Sequence, residues 1–332
     1  MASIVSNEKL TELFSLALED RSRGYADLVS NSNVILSVMK KKGGWNTFSG
    51  PSIRERLLYN ESGTYVRYSG YETLNPRPAD LFADAEYTPK MAAVSITLSS
   101  EEILKNSGSN QLLDVMEAHM DAGETELVDR FTEDLHSDGS ATNQVGGLQL
   151  AVPTVNTSGT YGGIDRATVT NWRTGSYTAT GVVGGVLSAS NIHKAFTSVL
   201  ISHTRGKTGP NVIAVDATIY QIFSDALINI QRVQSEKDEA TLGFPSLAYA
   251  GAGYNLSVVL EGGIGSAMPS GTAYFLRVGK DGMNFRYHPE RNFSSFGGKQ
   301  RPVNQDAIVQ HVGFMGNLTM ANPLHQAKLR NV

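Results

Sequence analysis

The side chains best suited to catalysis or metal binding are few in this chain and widely spaced. The 332 residues include seven histidines and no cysteine, which excludes disulfides, thiolate metal sites and thiol nucleophiles. His193 and His203 fall on one predicted helix ten residues apart, a spacing that does not place two imidazoles on one metal ion. The acids Glu101 and Glu102, and those within 236–239, occur at a predicted helix end and in a predicted loop, unlike a glycosidase pair. We therefore predict no catalytic residue, no metal ligand and no cofactor.

Several glycine-containing stretches match nucleotide-binding motifs only in part. Residues 205–208 read Arg-Gly-Lys-Thr, like the end of a P-loop, but Ile201 stands where that motif requires its first glycine. The glycines at 181–185 and 251–253 do not complete the dinucleotide-binding pattern G-x-G-x-x-G. The G-x-S-x-G and H-E-x-x-H motifs are also missing. Because catalytic residues can be far apart in sequence, a cytosolic α/β enzyme remains an alternative.

The composition is typical of a surface that other protein covers. Charged residues make up 18% of the chain, below the roughly 25% usual for soluble domains. The formal net charge is −4, which gives no indication of a polyanion-binding protein. No apolar run approaches the ~18 residues that cross a bilayer, and residues 1–9 contain no signal core. We expect an intracellular protein without a membrane partner.

Three arginines occupy two predicted strands that would form a hairpin. Residues 53–59 carry Arg54 and Arg56, residues 64–71 carry Arg67, and a four-residue Asn-Glu-Ser-Gly loop joins them. An isolated two-stranded ribbon is marginally stable in water, so a ribbon this polar needs a surface to lie against. It is either an ordinary surface hairpin or an arm that packs on a neighbouring subunit.

The strongest helical pattern in the chain runs from residue 109 to residue 136. Apolar residues repeat at helical spacing over this range, which predicts one helix about 42 Å long at 1.5 Å per residue. The rest of its surface is acidic and includes Glu117, Glu124 and Glu126. From their opposite charge alone, we predict that these glutamates contact the hairpin arginines Arg54, Arg56 and Arg67 of a neighbouring subunit.

The other predicted elements alternate between helices and strands. Two helices with apolar stripes precede residue 43, and Asp216 is placed to cap a helix that follows it. The remaining predicted segments are strands at 90–98, 148–152, 211–215, 254–260, 272–278, 283–288 and 308–320, and a helix at 192–203. The strands at 272–278 and 283–288 are expected to form a hairpin through a Gly-Lys-Asp-Gly turn.

This order of elements resembles the major capsid proteins of tailed bacteriophages, which have the Hong Kong 97-type shell fold. The resemblance covers nearly the whole chain. The stretches that strengthen it are FSGPSIRERLL at 48–58, YSGYETL at 68–74, DAEYTPKMAAVSITL at 84–98, LKNSG at 104–108 and GGIDRATVTNWR at 162–173.

The resemblance implies an α+β fold with four parts. They are an N-terminal arm at 1–45, an extended β-hairpin loop at 46–90, a peripheral domain at 91–186 plus 300–332 that contains the spine helix 109–136, and an α/β axial domain at 187–299.

The resemblance also implies a structural function. Proteins of this family assemble into hexamers and pentamers of an icosahedral shell around double-stranded DNA, so we expect a virion protein that assembles in the host cytoplasm. Because the first predicted helix begins within ten residues of Met1, we expect a separate scaffolding protein. A portal and a decoration protein are further expected partners. The mild acidity predicts only weak, non-specific contact with packaged DNA.

Two shell functions and two other classes of protein fit the sequence to different degrees. A nanocompartment shell of the encapsulin type would have the same fold around an enzyme cargo. A cytosolic α/β enzyme would be a monomer or small oligomer with a deep pocket of convergent polar groups. A tail-tube protein is disfavoured, because a tube subunit is mostly β and the predicted helix is very long.

Overall fold

The computed structural model describes residues 33–58, 64–74, 77, 82–105, 109–228, 246–251, 254–261, 267–300 and 306–332. Three predicted features lie outside these residues: the helix before residue 24, the loop at 60–63 and the charged loop at 234–239.

The helices and strands assigned within the described residues are numbered here in chain order. The helices are α1 (Val34–Lys41), α2 (Ser100–Lys105), α3 (Ser109–His136), α4 (Leu148–Ala151), α5 (Ala179–Val183), α6 (Ile192–Ser202) and α7 (Ala217–Ile228). The strands are β1 (Trp45–Thr47), β2 (Ile53–Leu58), β3 (Phe82–Tyr87), β4 (Lys90–Ser99), β5 (Thr160–Tyr161), β6 (Ile164–Asp165), β7 (Gly175–Thr178), β8 (Val212–Val215), β9 (Ser246–Gly251), β10 (Tyr254–Leu260), β11 (Thr272–Leu276), β12 (Met283–Gln300), β13 (Ala307–Met320) and β14 (Ala327–Arg330).

Two sheets organise the described chain. One has four strands in the order β1-β12-β13-β4, and the other has six in the order β7-β14-β11-β8-β10-β9. In the four-stranded sheet β1 runs parallel to β12, and the remaining neighbours are antiparallel. Strands β2 and β3 pair only with each other, as an antiparallel hairpin.

Helix α3, hereafter the spine helix, has the predicted bounds and packs along the four-stranded sheet. Its buried residue Phe131 lies within an aromatic cluster, with ring centroids 5.5 Å from Phe285, 5.0 Å from Phe293 and 5.1 Å from Phe314. Gly123 allows a close approach, because a Cβ there would lie 2.9 Å from the side chain of Ile96. The buried apolar residues between 120 and 135 therefore face this sheet, and the acids Glu117, Asp121, Glu126, Asp129 and Glu133 are exposed.

A second core forms where α6 and α7 pack on the six-stranded sheet. Phe196 lies between Phe223, with centroids 5.6 Å apart, and Phe275, with centroids 5.3 Å apart. Asp216 caps α7 as predicted: its Oδ2 accepts hydrogen bonds from the backbone N–H groups of Thr218 at 3.2 Å and Gly271 at 2.9 Å. Together these contacts fix α7 to the end of the sheet.

A buried contact between a histidine and a glutamate joins three distant elements. The Nε2 atom of His136, the last residue of the spine helix, lies 3.0 Å from Oε1 of Glu261, just beyond β10, and both side chains are almost fully buried. The other carboxylate oxygen accepts the backbone N–H of Ile35 at 3.2 Å, in the first turn of α1. This carboxylate therefore connects α1, the spine helix and the six-stranded sheet.

Three predicted strand assignments are wrong. Residues 64–71 do not form the partner of 53–58; the partner is β3, which begins 24 residues after the end of β2. Residues 148–151 form a helix and not the predicted strand. The prediction failed because the periodicity of a short buried apolar run does not distinguish a helix from a strand. Strands β11 and β12 lie in different sheets, and the turn between them is closed by a hydrogen bond from Met283 N to the carbonyl of Arg277 at 2.8 Å.

The sheets do not follow the implied division into domains at every point. Strand β12 belongs to the four-stranded sheet with β4 and β13, although most of its residues fall in the range 187–299 implied for the axial domain. Strands β7 and β14 belong to the six-stranded sheet, although both fall in the ranges implied for the peripheral domain.

Lys328 on β14 provides a pH-dependent test of the packing around this strand. Its Nζ donates to Thr154 Oγ1 at 3.2 Å and lies 5.3 Å from the centre of the Tyr274 ring. Burial, followed by the charge of Arg330, lowers the pKa of Lys328 to about 8. Between that value and the usual pKa near 10.5, the unfolded chain binds more protons, so stability rises with pH there.

We expect Lys328→Met to raise the free energy of unfolding by about 1–3 kcal/mol at pH 7, because it removes a buried charge. The gain should shrink as the pH rises from about 8 to 10. Urea unfolding at both ends of this range measures it. Lys194→Met, at an exposed position of α6, is the matched control and should show no such pH dependence. A gain for Lys328→Met that stays constant with pH would contradict the assignment.

Candidate assembly surface

The β2–β3 hairpin has one face on its own subunit and one face in solvent. On β2 the side chains of Ile53, Glu55 and Leu57 are buried, and on β3 those of Ala85 and Tyr87 are buried. The alternate side chains point outward, as the two-residue period of a strand requires. The inner face of the β2–β3 hairpin therefore packs on its own molecule, and packing of an arm on a neighbouring subunit stays a prediction.

Two of the three candidate arginines already have partners within the hairpin. Arg54 Nη2 lies 3.6 Å from Glu86 Oε1, and Arg56 Nε lies 3.9 Å from Asp84 Oδ1, with all four side chains about half exposed or more. A hydrogen bond from Ser52 and then the charge of Arg54 hold the pKa of Glu86 below its usual value. Because each arginine faces an acid, these four side chains together add no net charge to the outer face.

Residues 64–74, hereafter the distal segment, expose an unusual amount of apolar surface. No strand or helix is assigned to these residues, and Arg67 lies among them. The exposed fraction is 82% for Tyr65, 64% for Tyr68 and 107% for Tyr71. Aromatic side chains supply large contact areas at interfaces, and several exposed ones in one short segment are typical of an interaction site.

The three candidate glutamates lie on the outer side of the spine helix. Glu117 and Glu126 are exposed and Glu124 is half-buried, so the predicted acidic face exists. Arg130 forms an ion pair with Glu133 at 2.9 Å on the same face, and the nearby acids raise the pKa of Arg130. Between residues 117 and 134 the helix carries seven acids and one arginine, a strongly negative surface.

The start of α2 fixes how the chain enters this helical region. The backbone N–H and the hydroxyl of Ser99 donate to Glu102 Oε2 at 3.1 and 3.0 Å, and the Glu102 N–H donates back to the hydroxyl at 3.2 Å. These hydrogen bonds lower the pKa of Glu102 and form a capping box. Helix α2 therefore begins at Ser100, directly before the acids Glu101 and Glu102.

Two histidines, His203 and His136, make their contacts inside the described part of the fold. His203 Nδ1 lies 2.6 Å from the carbonyl oxygen of Leu324, and its Nε2 lies 3.0 Å from the hydroxyl of Tyr177. The His136–Glu261 pair is too deeply buried to meet a substrate. Within the described ranges, no three His, Asp or Glu side chains are grouped so that they could hold a metal ion. No helix of these ranges has the length and apolar character needed to cross a bilayer.

Sequence reasoning missed the residues that attach the hairpin to the body. Arg286 Nε donates to Glu55 Oε1 at 2.8 Å, and Thr319 Oγ1 donates to the same oxygen at 3.1 Å. The available signal was the charge of Glu55 at an inward position between Ile53 and Leu57. Its partner is 231 residues away in sequence and could not be found from local spacing.

Comparison with known proteins gives matches at the level of structure. No family model matches the chain, and no curated protein matches it. The capsid of cyanophage A-1(L) superposes with a TM-score of 0.64 and 15% identity, covering 90% of this chain and 93% of that chain. The capsid of Myoviridae phage XM1 superposes with a TM-score of 0.51 and 15% identity, covering 88% of this chain and 91% of that chain. The holo-SrpI encapsulin complex of Synechococcus elongatus superposes with a TM-score of 0.50 and 13% identity, covering 89% of this chain and 87% of that chain.

These matches extend over nearly the full length of both chains in each pair, and they agree with the element order described above. The chain therefore has the Hong Kong 97-type shell fold, a mixed arrangement of helices and sheets. The predicted fold class is confirmed.

Proposed function

We propose that this chain is the major capsid protein of a tailed bacteriophage and has a structural, non-catalytic role. The observation that carries the proposal is the match to the cyanophage A-1(L) capsid over 90% of the chain. Copies assemble into hexamers and pentamers of an icosahedral shell around double-stranded DNA. Assembly takes place in the host cytoplasm, and the finished protein is part of the virion.

The proposed parts are those implied by the sequence: the arm at 1–45, the hairpin loop at 46–90, the peripheral domain at 91–186 plus 300–332 and the axial domain at 187–299. In this division, β12 joins the peripheral sheet and β7 and β14 join the axial sheet. A separate scaffolding protein, a portal and a decoration protein are the proposed partners, and packaged DNA is contacted weakly and without sequence preference.

The exposed distal segment supports assembly through the hairpin. A subunit that leaves three tyrosines in solvent has surface that a second copy can bury, and head-to-tail contacts of this kind close into rings. Each contact can be modest, because every subunit makes many of them at once. Arg54 and Arg56 are neutralised by their own hairpin, so Arg67 supplies most of the proposed attraction to Glu117, Glu124 and Glu126 of a neighbour.

A double-mutant cycle tests this pairing. Arg67→Glu and Glu126→Arg should each raise the protein concentration required for assembly, and the double variant should recover part of the loss. Exposed ion pairs contribute about 0.2–1 kcal/mol each, so a several-fold shift per variant is expected. The cycle of Arg67→Glu with Asp281→Arg, in an exposed turn, is the control and should be additive. Additivity in the first cycle as well would remove the proposed contact.

A nanocompartment shell is the second candidate, and the match to the SrpI encapsulin complex supports it. The contents of purified particles separate the two functions. A capsid is expected to contain nuclease-protected double-stranded DNA when it is produced with its packaging partners. Particles that instead retain one stoichiometric enzyme and no DNA would contradict the capsid function and support the compartment.

A further inference from the structure

The hairpin is attached to the body of the subunit at two points along its length. The first lies at its base, where Tyr87 on β3 pairs with Ile53 on β2. The Tyr87 hydroxyl donates to the carbonyl of Met320 at 3.2 Å and accepts the N–H of the same residue at 3.3 Å. Beside it, the Glu86 N–H donates to the carbonyl of Gly162 at 2.9 Å. These bonds hold the β3 side of the base.

The second point is the Glu55–Arg286–Thr319 contact on β2. Glu55 lies two residues beyond Ile53, about 7 Å further along the strand. Its Oε1 accepts from Arg286 Nε at 2.8 Å and from Thr319 Oγ1 at 3.1 Å, and its side chain is only 10% exposed. Arg286 belongs to β12 and Thr319 to β13, so one carboxylate connects the hairpin to two strands of the four-stranded sheet.

We propose that Glu55 is a positioning residue that fixes the direction in which the hairpin leaves the subunit. A ribbon held at one point can swing about that point, and a second attachment along its length removes this freedom. The buried apolar side chains Leu57 and Ala85 oppose separation but are non-directional. A charge-assisted hydrogen bond is directional, so it can fix an angle that apolar burial leaves free.

The length of the hairpin amplifies small rotations at its base. Six residues of strand extend about 20 Å, so a 10° swing moves the far end by about 3.5 Å. Side chains are in contact only when their heavy atoms approach within about 4.0–4.5 Å, so this displacement is enough to separate an interface. This consequence for shell closure rests on the proposed function, whereas the positioning of the hairpin does not.

The absence of cysteine allows a direct measurement on the unassembled subunit. Asp84→Cys on the outer face of β3 and Thr97→Cys on the outer face of β4 introduce two exposed sites for spin labels. Pulsed electron–electron double resonance should give one narrow distribution of the distance between the two spin labels. Adding Glu55→Ala should widen the distribution about twofold or more, while circular dichroism stays unchanged.

Two further variants keep the test decisive. Glu86→Ala removes a carboxylate from the exposed pair on the same hairpin and should leave the distribution unchanged. Glu55→Gln retains an acceptor oxygen for both donors, so it should fold even if Glu55→Ala does not, and it should give an intermediate width. Unchanged distributions in the Glu55 variants that fold would overturn the proposal. Failure of the unlabelled, unsubstituted protein to form shells would count against the proposed function instead.

Discussion

Replacing residues 64–74 by a glycine–serine linker of equal length should abolish closed shells and leave a folded subunit. The strands β2 and β3 remain in this variant, so the buried inner face of the hairpin is intact. The replaced side chains are exposed, and the free energy of unfolding should change by no more than about 0.5 kcal/mol. What is lost is apolar area for a neighbour, because a buried tyrosine covers about 150–250 Å². Electron microscopy and light scattering measure the loss of shells.

A conservative triple variant is the control for this replacement. Changing Tyr65, Tyr68 and Tyr71 to phenylalanine preserves the rings and should preserve shells, whereas changing all three to serine should behave like the linker. Normal particles from the linker variant would show that the distal segment is dispensable and would refute its proposed role.

Phe131→Ala should lower the free energy of unfolding by about 3–5 kcal/mol, the cost usual for deleting a buried phenylalanine ring. The ring is 4% exposed and contacts Phe285, Phe293 and Phe314, which belong to two strands of the four-stranded sheet. Its loss leaves a cavity between the spine helix and the sheet. Denaturant unfolding gives the free energy, with the slope of the transition as a check for two-state behaviour.

Asp129→Ala, on the exposed side of the same helix, is the matched control and should change stability by no more than about 0.5 kcal/mol. A loss below about 1 kcal/mol for Phe131→Ala would mean that the spine helix does not depend on this cluster.

The long elements with a regular apolar pattern could be predicted from the sequence, because that pattern lies within one continuous stretch of chain. The spine helix has an apolar stripe over its whole length, and Asp216 stands directly before a second stripe. Strand β13 is rich in apolar residues, and its predicted bounds of 308–320 agree with Ala307–Met320 to one residue. In each case the residues that define the element are neighbours in the chain.

Elements defined by distant partners were predicted less well. Residues 64–71 are rich in Tyr, Thr and Val and have strand propensity, yet β2 pairs with 82–87, which supplies Ala85 and Tyr87 to the buried face. Strand β12 was predicted only to residue 288, because Pro289 and a glycine pair interrupt its pattern. The strand continues past them through shifts of register against β13.

In the candidate surface, too, features that depend on local sequence could be predicted, and contacts with distant partners could not. The exposed acids of the spine helix follow from its periodicity, and Arg67 is exposed as an interface residue must be. The intramolecular partners of Arg54 and Arg56 depend on the true pairing of the hairpin, which the sequence did not reveal. Glu55 was visible only as a charged residue in an apolar pattern, since the strand that carries Arg286 lies near the other end of the chain.

Electron microscopy of the purified protein, alone and with its co-expressed neighbours, tests the central claim most directly. A protein whose exposed surface is completed by its own copies should form capsomer rings or closed hollow shells of uniform size. A stable monomer that resists assembly under every condition, although correctly folded, would contradict the claim that this chain is a shell subunit.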